Sequence, residues 1–169
     1  MLKKIFIIGA PGSGKSYIAR LLELSLNIKA HELDHLYWDP NVNRYGIPTD
    51  NITRTTMLNE IMSEPAWIME GIYHDWTASC FEQAEIILLL KTSVWVRHWR
   101  LVKRYINHKK KSYKGKRETF PDLIRLLIWN HRYEKQQLPL VLDAVGTYMD
   151  KVRMFKTSGE AMTAVIRPI

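Results

Sequence analysis

"KIFIIGAPGSGKSYIARLLE", residues 4–23, joins a short apolar run to a helical pattern through a glycine-rich loop. Within it, Gly9, Gly14, Lys15 and Ser16 fit the spacing G-x-x-x-x-G-K-[ST]. The match follows a predicted strand and opens a predicted helix, which is the context that gives this spacing its meaning. The stretch therefore predicts a loop that binds the phosphates of a nucleoside triphosphate.

Each residue type in this loop has a chemical reason to be there. Glycines allow the backbone to turn its N–H groups around a phosphate, and the start of the following helix adds a partial positive charge. Lys15 would reach the β- and γ-phosphates of ATP, and the hydroxyl of Ser16 would bind Mg²⁺. The predicted nucleotide-binding residues of the loop are Gly9, Gly12, Ser13, Gly14, Lys15 and Ser16.

The composition predicts one globular domain, residues 1–169, in the cytoplasm. The only cysteine, Cys80, cannot form an internal disulfide and is interpreted as a small buried hydrophobe in a reducing compartment. No apolar run approaches the roughly 18 residues of a membrane span, and the N-terminus does not resemble a signal peptide. We therefore expect no membrane partner.

Positive charge is concentrated in one segment. The net charge is +8, and residues 91–117 contain eleven Lys and Arg residues and no Asp or Glu. This segment predicts a site for a polyanion: a triphosphate, a phosphorylated acceptor or nucleic acid. Residues 109–116 (KKKSYKGK) are interpreted as a lid or a nucleic-acid contact, and nucleic acid has little support because no nucleic-acid-binding motif is present.

Short apolar runs alternate with helical patterns along the chain, which predicts an α/β fold with a parallel sheet covered by helices on both faces. The predicted strands are residues 4–8, 29–33, 66–70, 85–91 and 152–155. The predicted helices are residues 16–26, 53–63, 77–84, 93–108 and 121–137, with a last one from Ser158.

The helix over 93–108 carries two different patterns. We expect Thr92 to cap it and its apolar side chains, spaced i, i+4, i+7 and i+11, to form a buried face. Those side chains are Trp95, Trp99, Val102 and Ile106. Arg97, Arg100 and Arg104 share another face, where guanidinium groups could bind phosphate oxygens.

Four segments together resemble a known family. They are GAPGSGKS (9–16), HELDHLYWDP (31–40), WIMEGIYH (67–74) and WRLVKRY (99–105), with LIWNHR (127–132) as a fifth, weaker match. The first resembles the nucleotide- and shikimate-kinase-like P-loop NTPases. The set resembles the small bacterial kinase-like family labelled "DNA topology modulation protein" or adenylate-kinase-like, a label that is no evidence of action on DNA.

The resemblance implies a three-layer P-loop NTPase fold and an enzymatic activity. The fold has a five-stranded parallel sheet in the order 2-3-1-4-5, with a basic lid over about residues 104–121. The activity is phosphoryl transfer from ATP with Mg²⁺. Arg100 and Arg104 match the family's arginines before the lid and would stabilise the γ-phosphate, and Arg132 is a further nucleotide-binding candidate.

The resemblance also implies an acceptor site. Asp34 would face the acceptor, with Glu32 as a second candidate, although a solvated or helix-capping aspartate is the alternative. Glu70 would be the Walker-B-type carboxylate that polarises water on Mg²⁺, and Gly71 would allow the acceptor close to the backbone. Arg54 would hold an anionic group of the acceptor, a surface arginine being the alternative.

The chain departs from two patterns that would identify the acceptor. It has Glu-Gly-Ile-Tyr at 70–73 where the family more often has Asp-Gly-Asn-Tyr, and it lacks the Asp-Gly-(Phe/Tyr)-Pro-Arg of typical adenylate kinases. The predicted function is a kinase that transfers the γ-phosphate of ATP to an unidentified small molecule: a nucleoside, a shikimate-like hydroxyl compound, or a nucleotide held by other arginines. The alternative is a regulatory or nucleic-acid-associated ATP-binding protein with slow turnover.

Overall fold

The computed structural model describes residues 2–39, 47–110 and 119–166, without the side chains of residues 108–110 and 166. Its strands are β1 (Lys4–Gly9), β2 (Ala30–Glu32), β3 (Trp67–Gly71), β4 (Ile86–Leu90) and β5 (Val152–Phe155). Its helices are α1 (Lys15–Leu26), α2 (Asp34–Tyr37), α3 (Asn51–Met62), α4 (Ala78–Gln83), α5 (Val94–Lys110), α6 (Phe120–Gln136), α7 (Leu138–Ala144) and α8 (Ser158–Ile166), with a 3-10 turn at Gly146–Tyr148.

The five strands form one parallel sheet in the order β2-β3-β1-β4-β5, which confirms the predicted fold and strand order. Side chains of β1 alternate between two cores because successive residues of a strand point to opposite faces. Phe6 and Ile8 pack into one core with α3, α4 and α7, whereas Ile5 and Ile7 pack into the other with α1 and α8. The central strand is therefore buried on both faces.

Parallel pairing brings the carboxyl ends of the strands to one edge of the sheet. Gly9 pairs with Leu90, Ile8 with Gly71, and Glu32 with Glu70. In open α/β sheets this edge is where ligands bind. The predicted loop after β1 thus emerges beside the acids that end β2 and β3.

Helix α5 faces the protein with a different side from the one predicted. Its inward residues are Arg97, Leu101 and Tyr105, which pack against Leu123 and its neighbours on α6. Trp95 is 73% exposed and Trp99 is 61% exposed, so the prediction of a buried tryptophan face was wrong. Helical spacing reveals an apolar stripe, but it does not tell which stripe faces the protein.

Two predicted helix starts also differ from the structure. Thr92 is buried, and its hydroxyl donates to the carbonyl oxygens of Ser13 (3.1 Å) and Lys156 (3.3 Å) instead of capping α5. Helix α3 begins at Asn51 rather than at Thr53, because Asp50 accepts a hydrogen bond from the Thr53 amide and serves as the cap. The short helices α2 and α7 were not predicted.

The expectation that the single cysteine is buried is met by the structure. Cys80 is a buried free thiol whose pKa is raised to about 12 by burial, as expected of a small core side chain. Among the residues that the structure describes, no helix is both long and apolar enough to cross a membrane.

The Thr92 hydroxyl joins the loop after β1 to the residue after β5, which gives a stability prediction. Thr92→Val leaves the Lys156 carbonyl without this donor, so we expect the free energy of unfolding in urea to fall by about 1 kcal/mol. Thr56→Val is the control, because its hydroxyl is exposed and bonds only within α3. A change at Thr92 no larger than that at Thr56 would contradict the assigned role.

Candidate active site

The loop between β1 and α1 takes its shape from two glycines with positive φ. Gly12 has φ 76° and Gly14 has φ 104°, values that residues with a side chain rarely adopt. A Cβ atom at Gly12 would lie 2.8 Å from the Arg97 carbonyl oxygen, and one at Gly14 would lie 2.7 Å from Ser158 Oγ. The loop is therefore packed closely against the start of α5 and the start of α8.

Hydrogen bonds from α5 hold the loop on its carbonyl side. Arg100 Nη1 donates to the carbonyl oxygens of Gly12 (3.1 Å) and Ser13 (3.0 Å). At the other side, α1 begins after Gly14 without a side-chain cap, so the first amides of the helix have no side-chain acceptor. An uncapped helix start of this kind is suited to binding an anion.

Lys15, Ser16 and Glu70 meet at the base of the loop. Lys15 is 8% exposed with its Nζ 3.2 Å from the Ala10 carbonyl oxygen, and Glu70 is 5% exposed. The Ser16 hydroxyl donates to Glu70 Oε1 over 2.5 Å. The predicted phosphate-binding lysine and the two predicted Mg²⁺-binding residues are thus neighbours, with Lys15 and Glu70 buried and Ser16 exposed.

Burial shifts the pKa values of both charged groups toward their neutral forms. The pKa of Lys15 is lowered by desolvation, against the opposing attraction of Glu70 and Asp34. The pKa of Glu70 is raised by desolvation, against the opposing effects of Lys15 and of the Ser16 hydrogen bond. The protein alone therefore solvates neither charge as well as water does.

A cavity of about 400 Å³ opens over this base. Most of the residues predicted for catalysis, Mg²⁺ and the acceptor line it together: Lys15, Ser16, Asp34, Glu70, Gly71, Arg100 and Arg104. Glu32, the second candidate on the acceptor side, also lines it, as does Trp38. The cavity has a basic side, formed by the loop and α5, and an acidic side, formed after β2 and β3.

Four predicted site residues do not line the cavity: Gly9 and Ser13 are buried, and the other two are arginines. The guanidinium group of Arg54 lies over the rings of Trp76 (4.8 Å) and Tyr37 (5.2 Å), and its Nη2 donates to Asn51 Oδ1 (2.7 Å). Arg132 is exposed on α6, and neither arginine is among the described residues that line the cavity. The middle of the predicted lid, residues 111–118, lies outside the described residues.

Tyr73 is a site residue that the sequence analysis did not assign. Its hydroxyl donates to Asp34 Oδ1 (2.8 Å), and its ring lines the cavity and stacks on Tyr37 with centroids 4.7 Å apart. Burial and the Asp34 carboxylate both raise the Tyr73 pKa, so the hydroxyl stays a donor. The signal was available in the Tyr of Glu-Gly-Ile-Tyr, three residues after Glu70.

Gly71 has a packing reason as well as a place in the cavity. A Cβ atom there would lie 3.0 Å from Leu33 Cδ1 and 3.2 Å from Tyr73 Cδ2. The absence of a side chain at Gly71 thus allows Leu33 and Tyr73 to pack against it, independently of any acceptor.

The residues at the base of the cavity fit Mg²⁺ if phosphate oxygens complete its shell. A serine hydroxyl and a carboxylate are the hard oxygen ligands that this ion prefers, and Mg²⁺ in such sites keeps substrate phosphates and water as ligands. Within residues 2–39, 47–110 and 119–166, no group of three or more His, Cys, Asp or Glu side chains could hold a metal. Ser16 and Glu70 therefore suit Mg²⁺ that arrives with a nucleotide.

Comparisons with known proteins show the fold. No family model and no curated protein sequence matches the chain. Among solved structures, it is similar to a gluconokinase from Sinorhizobium meliloti 1021, at 16% identity and a TM-score of 0.57, covering 97% of this chain and 89% of that one. It is also similar to a shikimate kinase from Acinetobacter baumannii in complex with shikimate, at 18% identity and a TM-score of 0.57, covering 98% and 94%. The chain has the P-loop kinase fold.

The raised pKa of Glu70 predicts how stability depends on pH without ligand. Above the ordinary value of 4.5 the folded protein retains a proton that the unfolded chain has lost. Stability from this group is thus present below pH 4.5 and is lost as pH rises through the folded pKa. Relative to wild type, Glu70→Gln should gain stability as pH rises from about 4.5 to 8, measured by urea denaturation.

Glu60→Gln, at an exposed carboxylate on α3, is the control and should show no such trend. A stability difference between Glu70→Gln and wild type that stays constant over this pH range would contradict the assigned burial cost.

Proposed function

We propose that the protein is a small-molecule kinase that transfers the γ-phosphate of Mg²⁺·ATP to a hydroxyl group of an acceptor. The observation that carries this proposal is that the buried Lys15 and Glu70, with the Ser16 hydroxyl bonded to Glu70, line the same cavity as Asp34. Phosphoryl transfer requires the nucleotide and acceptor to be positioned together and the charge on the phosphate to be neutralised. The two sides of this cavity supply both requirements.

On the basic side, the loop and Lys15 would hold the β- and γ-phosphates. Ser16 and Glu70 would hold Mg²⁺, which when bound supplies positive charge to the phosphate oxygens. The two arginines of α5 that line the cavity then take different roles. Arg100 already donates to two loop carbonyls and would keep the loop in shape. Arg104 lines the cavity near Lys15 and would stabilise the transferred phosphoryl group.

On the acidic side, Asp34 would orient the acceptor hydroxyl. Tyr73 donates to Asp34 Oδ1, which leaves Oδ2 to accept from the acceptor. The carboxylate belongs to the first turn of α2, and the Tyr73 hydrogen bond fixes its orientation beside the cavity. A fixed carboxylate that can accept a proton is what the attacking hydroxyl needs as its new bond to phosphorus forms.

The residues on the acidic side of the cavity favour an uncharged acceptor. Glu32 and Asp34 would repel an anion, and the rings of Trp38 and Tyr73 offer surfaces for a base or a sugar face. Arg54, which could have held an anionic group, lies over Trp76 and Tyr37 instead. An uncharged nucleoside or polyol therefore fits the acidic side of the cavity better than an anionic monophosphate or sugar acid does.

Membership in the small bacterial kinase-like family and a place in the cytoplasm belong to this proposal and rest on the sequence. The nucleic-acid alternative depends on the basic residues 109–116, which lie almost wholly outside the described residues. No observation on the described residues favours that alternative.

A panel of paired acceptors tests the acceptor class. ADP release from Mg²⁺·ATP would be measured with adenosine against AMP, thymidine against its monophosphate, and glucose against gluconate, with shikimate as a further anion. We expect stimulation by the neutral member of at least one pair and none by its charged partner. Stimulation only by anions would contradict the acceptor class, and no phosphorylated product with any acceptor would contradict the kinase assignment.

Substitution of Asp34 tests its role directly. Asp34→Asn keeps the side-chain shape but removes the proton acceptor, so we expect kcat to fall by about 10²–10⁴-fold with ATP affinity nearly unchanged. Lys15→Ala should instead abolish ATP binding, measured by calorimetry. Asp143→Asn, an exposed aspartate on α7, is the control and should leave both quantities unchanged. Equal activity of Asp34→Asn and Asp143→Asn would remove Asp34 from the mechanism.

A further inference from the structure

Two neighbouring helices expose one apolar surface that the proposed kinase chemistry does not use. On α5 its residues follow the spacing i, i+4, i+7 and i+11, and on α6 the spacing i, i+4 and i+8. We call these residues the two-helix surface: Trp95, Trp99, Val102, Ile106, Phe120, Ile124 and Ile128. Each of these side chains is more than a third exposed.

The two stripes are joined along the seam between the helices. Helices α5 and α6 pack together through Leu101, Tyr105 and Leu123. At one end of the seam, the ring of Tyr105 lies 6.4 Å from that of Phe120. At the other end, His98 lies between Trp95 (6.2 Å) and His131 (5.8 Å). His131 follows Ile128 by one turn of α6, so the surface is continuous from one helix to the other.

The contacts of α5 prevent it from burying this stripe by turning about its axis. The Arg97 backbone packs on Gly12, and Arg100 donates to the loop carbonyls. The Arg97 side chain is 1% exposed and reaches Glu134 and the Asn130 carbonyl on α6, each at 3.3 Å. Rotation that buried Trp95 and Trp99 would break all of these contacts at once.

The exposed area of the two-helix surface is comparable with the area that one partner buries in a stable protein–protein interface. Trp95, Trp99 and Phe120 are each at least 60% exposed, and aromatic side chains of this size present about 150–250 Å² when fully accessible. With the four aliphatic side chains the surface amounts to several hundred Å², near the ~800 Å² that each partner buries in an ordinary protein–protein interface. Monomers rarely leave such an area uncovered.

We propose that the two-helix surface is the interface of a homodimer, in which α5 and α6 of two copies pack as a four-helix bundle. A two-fold axis brings the same patch of both copies together, so one self-complementary apolar surface is sufficient. Seven uncharged side chains at helical spacing are what helix-on-helix packing requires. The bundle would bury the tryptophan face that the sequence pattern marks as apolar.

The charges around the surface give this proposal a distinctive salt dependence. Lys103 and Lys135 are exposed on the same two helices, and Lys103 Nζ lies 4.7 Å from the centre of the Trp99 ring. Arg125 is also exposed and pairs with Asp122 over 3.7 Å. Across a two-fold axis these cations repel, and added salt screens the repulsion. The dimer should therefore persist or strengthen with salt, whereas binding of the same surface to an anionic membrane would weaken.

Sedimentation of the full chain tests the proposal. We expect a dimer at micromolar concentration, no weaker at about 500 mM than at about 50 mM NaCl. Trp99→Glu and Ile128→Glu, one on each helix, should each raise the dissociation constant by about 30-fold or more. Leu24→Glu is the matched control, since Leu24 is 75% exposed on α1 and outside the surface. It should sediment as the wild type does.

Circular dichroism would show whether each variant is folded. If one variant does not fold, the other still tests the interface. A wild-type monomer up to about 100 µM would overturn the proposal, since an interface of this area normally binds more tightly. So would a dimer that survives both substitutions. Sedimentation of a monomer with phosphatidylglycerol vesicles, abolished by salt and by Trp99→Glu, would assign the surface to a membrane instead.

Discussion

The structure is organised around two buried charges that the protein does not fully compensate. The Lys15 ammonium and the Glu70 carboxylate lie at the base of one cavity, and burial shifts the pKa of each toward its neutral form. They attract each other, but desolvation is the larger effect for both. A polyanion beside Lys15 and a divalent cation beside Glu70 would each supply the missing opposite charge. Compensation of these two charges would contribute to the binding energy of the proposed Mg²⁺·ATP. It requires a loop conformation that can bind the phosphates.

That shape is maintained by elements far apart in the sequence. The Thr92 hydroxyl joins the Ser13 carbonyl to the residue after β5, Arg100 donates to the same carbonyl from α5, and Ser158 limits the space at Gly14. Because the loop has few side chains of its own, its conformation is set by these neighbours. The order β2-β3-β1-β4-β5 places those neighbours around the carboxyl end of the central strand. The conformation of the phosphate-binding loop therefore depends on the correct packing of the whole fold.

The sequence predicted what depends on local chemistry and missed what depends on packing. The loop was predictable because its glycines, Lys15 and Ser16 are required by the geometry of phosphate binding, and the strand order followed from a resemblance. The tryptophan face of α5 was misassigned because periodicity marks an apolar stripe without saying whether the same chain covers it. Arg54 was expected at the acceptor because the family resemblance implied it. Its position over Tyr37 and Trp76 depends on three segments that only the folded chain brings together.

Helix α5 connects the proposed chemistry to the proposed dimer. Its inner side places Arg100 on the loop and Arg104 in the cavity, and its outer side carries Trp95 and Trp99. An arginine that stabilises a transferred phosphoryl group must be held within a fraction of an ångström, because electrostatic stabilisation depends on charges that are already in place. Contacts on one side of a helix leave it free to tilt, whereas contacts on two sides do not. A second copy packed on the outer side would therefore restrict the same helix that positions Arg104, so that loss of the interface should lower turnover.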